Sequence, residues 1–270
     1  QLDEVLTREK VTTLWLSSGL FNTVVDRKIE ALRNIRQLLV GGDVVSPAHV
    51  RRIYESNPNV TIINGYGPTE NTTFTCCFTI PRDWPVDRSI PIGRPIRNTQ
   101  VYVLDENLQP MPVGAIGELY CGGDGLSHGY WNKPDLTALA FVAHPFFAEA
   151  RLYKTGDRVR ILKDGNLEFL GRFDTQIKIR GFRIELGEIE SAFRTHDCVQ
   201  DAAAVVDSDV ADGKRLLAFV IAEVGKTISP NELHEHLRKL LPEHACPSRI
   251  HIVEKFPLGP RSEEHTSELQ

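Results

Sequence analysis

Two short apolar runs, residues 38–40 and 60–63, bracket a helix start that leaves the backbone little choice. Ser46 is a good N-cap, and Pro47 supplies the fixed φ wanted at the first helical position, so a helix should run to about Ser56. Upstream, Leu14-Trp15-Leu16 is apolar and residues 29–37 carry helical spacing. Strand, helix and strand in this order indicate α/β architecture. The second apolar run ends in Asn64-Gly65-Tyr66-Gly67-Pro68-Thr69-Glu70. A glycine-rich loop at the carboxyl end of a strand is where open α/β sheets bind ligands. There the glycines let backbone approach a ligand, Glu70 can hold a cation, and Tyr66 has a ring face suited to stacking on a base. An ordinary strand-to-helix turn is the plain alternative.

From about Thr99 the texture becomes β-rich, with apolar stretches at 101–104, 116–121 and 158–162 separated by Gly, Pro and Asn. Lys163-Asp164-Gly165-Asn166 is a hairpin signal, because Asp-Gly accommodates the positive φ of a tight turn. Beyond Arg172 a βαββαβ series is expected: strands at 175–180, 201–206, 216–222 and 249–253, helices at 186–195 and 230–241. The last helix opens on a capping box, Ser229 with Pro230 and Glu232. The chain therefore divides near Phe173-Asp174 into an α/β region that turns β-rich from about Thr99 and a second, small α+β domain.

Composition removes several function classes. The 270 residues are 41% hydrophobic and 25% charged, which is globular, and no apolar run approaches the ~18 residues of a membrane span. A net charge of -5 without a Lys/Arg block argues against nucleic acid or another polyanion as partner. Five cysteines without a CxxC pair or a signal-peptide layout argue against a disulfide framework or zinc cluster and fit a cytoplasmic protein.

Two further segments have the residue types for nucleotide chemistry. In Tyr153-Lys154-Thr155-Gly156-Asp157 a carboxylate after a glycine turn can accept both hydroxyls of a ribose. In Gly171-Arg172-Phe173-Asp174 the arginine can reach the same sugar or a phosphate. Alternation puts Gln176, Lys178 and Arg180 on one face of the following strand, solvated by default. Gly125-Leu126-Ser127-His128-Gly129 matches the nucleophile elbow of serine hydrolases, but that elbow needs a helix at once, and Lys133 before Pro134 cannot start one there. Gly225-Lys226-Thr227 lacks the first P-loop glycine, Val220 standing in its place, and reads as a turn. His234 and His236 point to different helix faces, and Cys76-Cys77 reads as part of a strand.

Taken together, these segments resemble the adenylation domain of nonribosomal peptide synthetases, within the adenylate-forming enzymes that include acyl-CoA ligases. The resemblance rests on NGYGPTE (64–70), GELYCGG (117–123) with GYWNKPDLTALAF (129–141), YKTGD (153–157) and GRFDTQIKIRGFRIELGEIE (171–190), four motifs in family order. It implies the adenylate-forming fold, with 1–173 the C-terminal portion of the large α/β core domain, 98–173 its β-rich, distorted-barrel subdomain, and 174–260 the small, mobile α+β C-terminal domain. The implied activity takes an amino acid and ATP to aminoacyl-AMP and pyrophosphate, then to the phosphopantetheine thiol of a peptidyl carrier protein, beside a condensation domain. By the same resemblance Asn64 would bond the adenine, Tyr66 would stack on it with Phe169 nearby, and Asp157 would bind the ribose with Arg172 beside it. Glu70 would hold Mg²⁺, Asp174 would be the hinge of the small domain, and Lys178 would face the pantetheine. The family's specificity positions fall on Trp15, Leu39, Gly41, Gly65, Thr73 and Phe74, an apolar pocket for a branched aliphatic amino acid, valine first. The alternatives are a stand-alone acyl- or aryl-CoA ligase and, in another class, a serine hydrolase using Ser127.

The family's phosphate loop and the aspartate that grips the α-amino group do not occur in these residues, and no lysine follows Lys255 where the final motif would place one. The chain alone is therefore expected to be inactive or nearly so. Residues 261–270 resemble a translated sequencing adapter and are expected to be non-biological.

Overall fold

The computed structural model describes residues 2–174, 176–179, 182–207 and 215–256, with Lys178 described by its backbone only. The expected tail at 261–270 and the end of the 174–260 segment, from Pro257 on, lie outside the described residues. The chain forms two compact units, Gln1–Asp174 and Thr175–Gln270.

The first unit begins with α1 (Leu2–Arg8), β1 (Thr13–Ser17), α2 (Ser18–Lys28), β2 (Gln37–Gly41), α3 (Pro47–Ser56), β3 (Thr61–Tyr66), β4 (Cys76–Thr79) and β5 (Arg94–Pro95). These strands make one sheet in sequential order, β1 to β3 parallel and β4 and β5 antiparallel. Alternation along the strands sends Leu16, Leu38, Val40 and Ile62 into a core with Phe21 and Val25 of α2 and Val50 and Ile53 of α3. Each such side chain contributes about 1.5–3 kcal/mol by leaving water. The other face carries the register pairs Trp15, Leu39, Ile63 and Gly41, Gly65.

The helix at 47–56 forms where expected, although the Ser46 hydroxyl bonds His49 Nδ1 at 2.7 Å and leaves the backbone uncapped. Pro47 pre-sets the first turn without that help. Residues 29–37 do not form a helix: Ile29–Leu32 is one 3₁₀ turn and Gln37 already begins β2. The buried Asn57 explains the break, since its Nδ2 donates to the carbonyls of Leu32 (3.1 Å) and Ile35 (2.8 Å), partners that a continued helix would have supplied. Sequence reading also passes over α2, whose Thr23-Val24-Val25 run has poor helix propensity; tertiary burial of Val24 and Val25 outweighs it.

The unit continues through β6 (Thr99–Leu104), β7 (Ile116–Gly123), α4 (Pro134–Ala140), β8 (Phe141–Ala143), β9 (Arg151–Ile161) and β10 (Leu167–Arg172). An antiparallel sheet runs β10-β9-β7-β6, with β8 also paired to β9. The expected Asp-Gly hairpin joins β9 to β10, with Gly165 at φ +80°.

The loop between β8 and β9 is held by a buried histidine. His144 Nδ1 accepts from the N–H of Phe146 (3.1 Å) and Phe147 (3.2 Å), while the ring packs edge-on against Tyr102 at 4.9 Å. Both bonds require a bare Nδ1, and burial lowers the pKa of the ring below its ordinary value. The folded state thus favours neutral His144, and the unfolded chain takes up its proton near pH ~6.5. This stabilisation is complete above that pH and declines as pH falls below it. Thermal unfolding followed by tryptophan fluorescence from pH 8 to 5 should show a smaller acid-side loss for His144→Gln than for the wild type.

The second unit contains β11 (Gln176–Ile179), β12 (Phe182–Glu185), α5 (Leu186–Arg194), β13 (Val199–Asp207), β14 (Arg215–Ala222), α6 (Pro230–Leu240) and β15 (Arg249–Ile252). Antiparallel β13-β14 gains β15 as a parallel neighbour, and α5 and α6 bury Ile189, Phe193, Leu233 and Leu237 in a core shared with that sheet. β12 is an addition to the expected series. Its four residues run directly into α5, so their alternation is too short to stand apart in the sequence. Ser229 and Glu232 form the full capping box of α6.

Candidate active site

The parallel strands β1 to β3 end at Ser17, Gly41 and Tyr66, and the side chains singled out by sequence gather at this carboxyl end. Asn64 is buried and its Nδ2 donates to the Pro91 carbonyl at 2.8 Å. Tyr66 donates its hydroxyl to Asp157 of β9, which lies 91 residues away in sequence. Burial first, and then the Asp157 charge, push the Tyr66 phenol well above its ordinary pKa, so it stays a donor.

Asp157 lies between that phenol and a guanidinium. Arg172 Nη1 donates to Asp157, Arg172 Nη2 donates to the Thr155 carbonyl at 2.9 Å, and a two-point fork at 2.6 and 2.7 Å reaches Asp174. Burial alone would weaken the proton on Arg172, but the Asp174 hydrogen bond and both carboxylate charges outweigh it and raise its pKa. Gly156 has φ +75°, and a Cβ there would come within 2.6 Å of Arg172 Nη2 and Asp174 Oδ2. Glycine is thus required for both the turn and the fork. Glu118, unnoticed in the sequence, accepts from the Gly156 N–H at 2.9 Å and fixes the same turn.

The expected open face of Tyr66 is not on the surface. Its ring is only 8% exposed and packs with Cys76, Ile92, Leu119 and Val159, with Phe169 at the edge of the cluster. The flanking glycines do not uncover it because neighbouring chain fills their space: a Cβ at Gly65 would collide with the Phe74 ring, and one at Gly67 would lie 2.6 Å from the Thr73 carbonyl. Thr72 (φ 48°) and Thr73 (φ 62°) are both β-branched and left-handed, a strained turn that carries Phe74 back over Gly65.

Glu70 sits in a 3₁₀ turn, Thr69–Asn71, and is 7% exposed. Tyr130 donates its hydroxyl to Glu70 Oε1 at 2.5 Å, Ser127 N–H donates to the Glu70 carbonyl at 2.9 Å, and Thr72 Oγ1 donates to the Gly125 carbonyl at 2.7 Å. The segment following β7 is thereby clasped onto the turn that carries Glu70. Sequence reading missed Tyr130, although it stands in the GYWNKP stretch; nothing local links it to a residue 60 positions earlier.

Trp15, Leu39, Gly41 and Gly65 share the sheet face opposite the α2–α3 core, at adjacent register positions, and Phe74 adjoins Gly65. Trp15 is 49% exposed and Thr73 is exposed. An apolar, glycine-floored surface with no charged side chain among these six positions has nothing to compensate a charged ligand side chain.

Comparison with known proteins matches the family model of AMP-binding enzymes to residues 1–131 and that of the AMP-binding enzyme C-terminal domain to residues 188–262. The chain is 54% identical to a component of the linear gramicidin synthase of Brevibacillus parabrevis over 262 residues, 96% of this chain and 3% of that protein. It is 43% identical to tyrocidine synthase 3 of the same organism over 258 residues, 96% of this chain and 4% of that protein. Among solved structures, holo-PA1221, an NRPS protein with adenylation and PCP domains bound to a vinylsulfonamide inhibitor, superposes with a TM-score of 0.86 at 37% identity over 97% of this chain and 44% of that one. The chain belongs to the nonribosomal peptide synthetase adenylation domains of the AMP-binding enzyme family. It spans a few per cent of these curated relatives and less than half of the solved structure.

Other residues expected of an adenylation domain are placed as follows. Asp174 is the last residue of the first unit, and its side chain is held by Arg172. Lys178 pairs in register with Arg183 between β11 and β12, and its side chain lies outside the described atoms. Arg180 lies outside the described residues. Ser127 is in a loop with no helix after it before α4, so the hydrolase elbow is not built. No helix among the described residues is long and apolar enough to cross a membrane.

Proposed function

We propose that this chain supplies the adenosine- and metal-binding groups of an adenylation site that activates a small aliphatic amino acid, valine first. The amino acid carboxylate attacks the α-phosphorus of ATP, the bond to the bridging oxygen breaks, and aminoacyl-AMP and pyrophosphate form. The phosphopantetheine thiol of a peptidyl carrier protein then takes the acyl group, and AMP leaves.

The observation that carries this reading is the meeting of Tyr66, Asp157 and Arg172 beside Asn64 at the carboxyl end of the parallel strands. Asp157 is an acceptor set in a ring of fixed donors, so ribose hydroxyls can exchange with the Tyr66 hydroxyl without a new charge being buried. The adenine would lie against this cluster, with Tyr66 and Phe169 beside it and the Asn64 amide at the base edge. Arg172 holds Asp157 and Asp174 together, which ties the sugar site to the proposed hinge. Glu70 fits Mg²⁺, since carboxylate oxygen is the donor a hard cation takes, and Tyr130 already orients that carboxylate. When bound, the metal would neutralise phosphate charge. The chemistry otherwise needs positioning and no nucleophilic side chain. In the second step Lys178 would face the pantetheine.

A small pocket follows from Trp15 and Phe74 as walls over Gly41 and Gly65. ATP-pyrophosphate exchange by the intact domain should favour valine over leucine or isoleucine by about 10–200-fold, the worth of one methylene. Stronger exchange with aspartate or lysine than with valine would overturn the pocket assignment. Membership among the synthetase relatives at 54% identity favours this reading over a stand-alone CoA ligase.

A further inference from the structure

A cavity lies at the amino-terminal end of the parallel strands, opposite the site described above. It has a volume of about 370 Å³ and is walled by the chain entering β1, the turn before β2 and the loop before β3. A five-residue strand separates it from Gly41, roughly 15 Å at about 3.3 Å per residue, so it is distinct from the site above.

Its lining contains Lys10, Arg33 and Arg36 with the amides of Asn34 and Asn59, and no carboxylate. Among the described residues the three cationic side chains make no hydrogen bond or ion pair within the protein. The walls are firmly tied. The Thr12 carbonyl accepts from Arg36 N (2.8 Å) and Gln37 N (3.0 Å), and the Arg36 carbonyl accepts from Thr61 N (2.8 Å). Buried Asn57 anchors Leu32 and Ile35 from the other side and accepts from Asn59 N at 3.1 Å. The arginines therefore project from a backbone fixed before any ligand arrives, and three like charges around one void repel one another until an anion enters.

We propose that this cavity binds a compact phosphate anion, with inorganic pyrophosphate matching its charge and size. Two guanidinium forks suit phosphate oxygens in pairs, Lys10 adds a point charge, and the amides supply neutral donors. The scattered Lys and Arg positions and the net charge of -5 conceal this, because residues 10, 33 and 36 come together only through the fold.

The test is calorimetric titration of the full chain with sodium pyrophosphate, in EDTA and at constant ionic strength, with sodium sulfate as a parallel titrant. EDTA removes the metal that the proposed active site would need to hold the same anion. Saturable pyrophosphate binding is expected, weakened about tenfold by Arg33→Gln and again by Arg36→Gln, less by Arg33→Lys, and unchanged by Lys28→Gln. These exposed side chains should leave the tryptophan emission unchanged. Non-saturating heats, equal binding of sulfate, or wild-type affinity in the Arg33→Gln/Arg36→Gln variant would each overturn the proposal.

Discussion

Asp157→Ala is expected to destabilise the first unit by about 3–5 kcal/mol, the largest single-residue effect at this site. The substitution leaves Arg172, whose side chain is 13% exposed, without the more buried of its two carboxylate partners, and it strips the Tyr66 hydroxyl of its acceptor inside a packed cluster. Asp174 and the Thr155 carbonyl still hold Arg172, which keeps the loss toward the lower end. All three tryptophans, Trp15, Trp84 and Trp131, lie in this unit, so urea unfolding followed by their fluorescence reports it separately from the second. In a double-mutant cycle with Arg172→Met the two losses should overlap by more than about 1 kcal/mol. Strict additivity would mean that the pair is not coupled. Adenosine or AMP binding should be lost in the same variant.

Tyr130→Phe tests the other half of the site. The ring remains edge-on to Phe141 at 5.7 Å, and the loop keeps its Ser127 and Thr72 bonds, so the change removes one hydroxyl, which bonds both the Glu70 carboxylate and the Tyr153 side chain. Burial, and next the hydrogen bond to Glu70, raise the phenol above its ordinary pKa, and it donates throughout the working pH range. A hydrogen bond to a charged group is worth about 1.5–3 kcal/mol, so a comparable loss of stability is expected. As a positioning residue Tyr130 should also set how Glu70 meets the cation. In the intact domain, the Mg²⁺ concentration for half-maximal exchange should rise about tenfold, with direct Mn²⁺ binding by electron paramagnetic resonance weakened in parallel. Lower stability with unaltered metal dependence would make Tyr130 a structural tie only.

Local signals explain which parts of the fold could be read in advance. Pro47 behind Ser46 and Pro230 behind Ser229 start helices through their own backbone restrictions, and Asp164-Gly165 makes its hairpin for the same kind of reason. The spacing of residues 29–37 misleads because it records which residues become buried, and here burial is achieved by a 3₁₀ turn that Asn57 ends from 25 residues away. Tyr66 misleads in a related way. Glycines on either side suggest open space, but Phe74 and the Thr73 backbone occupy it.

The proline-started helices at 47 and 230, the Asp164-Gly165 hairpin and the strand ending in Asn64-Gly65-Tyr66 are legible in the chain because each depends on neighbours a few residues away. The Tyr66–Asp157 bond, the hold of Tyr130 on Glu70 and the gathering of Lys10, Arg33 and Arg36 around one cavity exist in the folded chain alone. Those contacts join residues 91, 60 and up to 26 positions apart, where chain closure rather than local preference brings groups within reach.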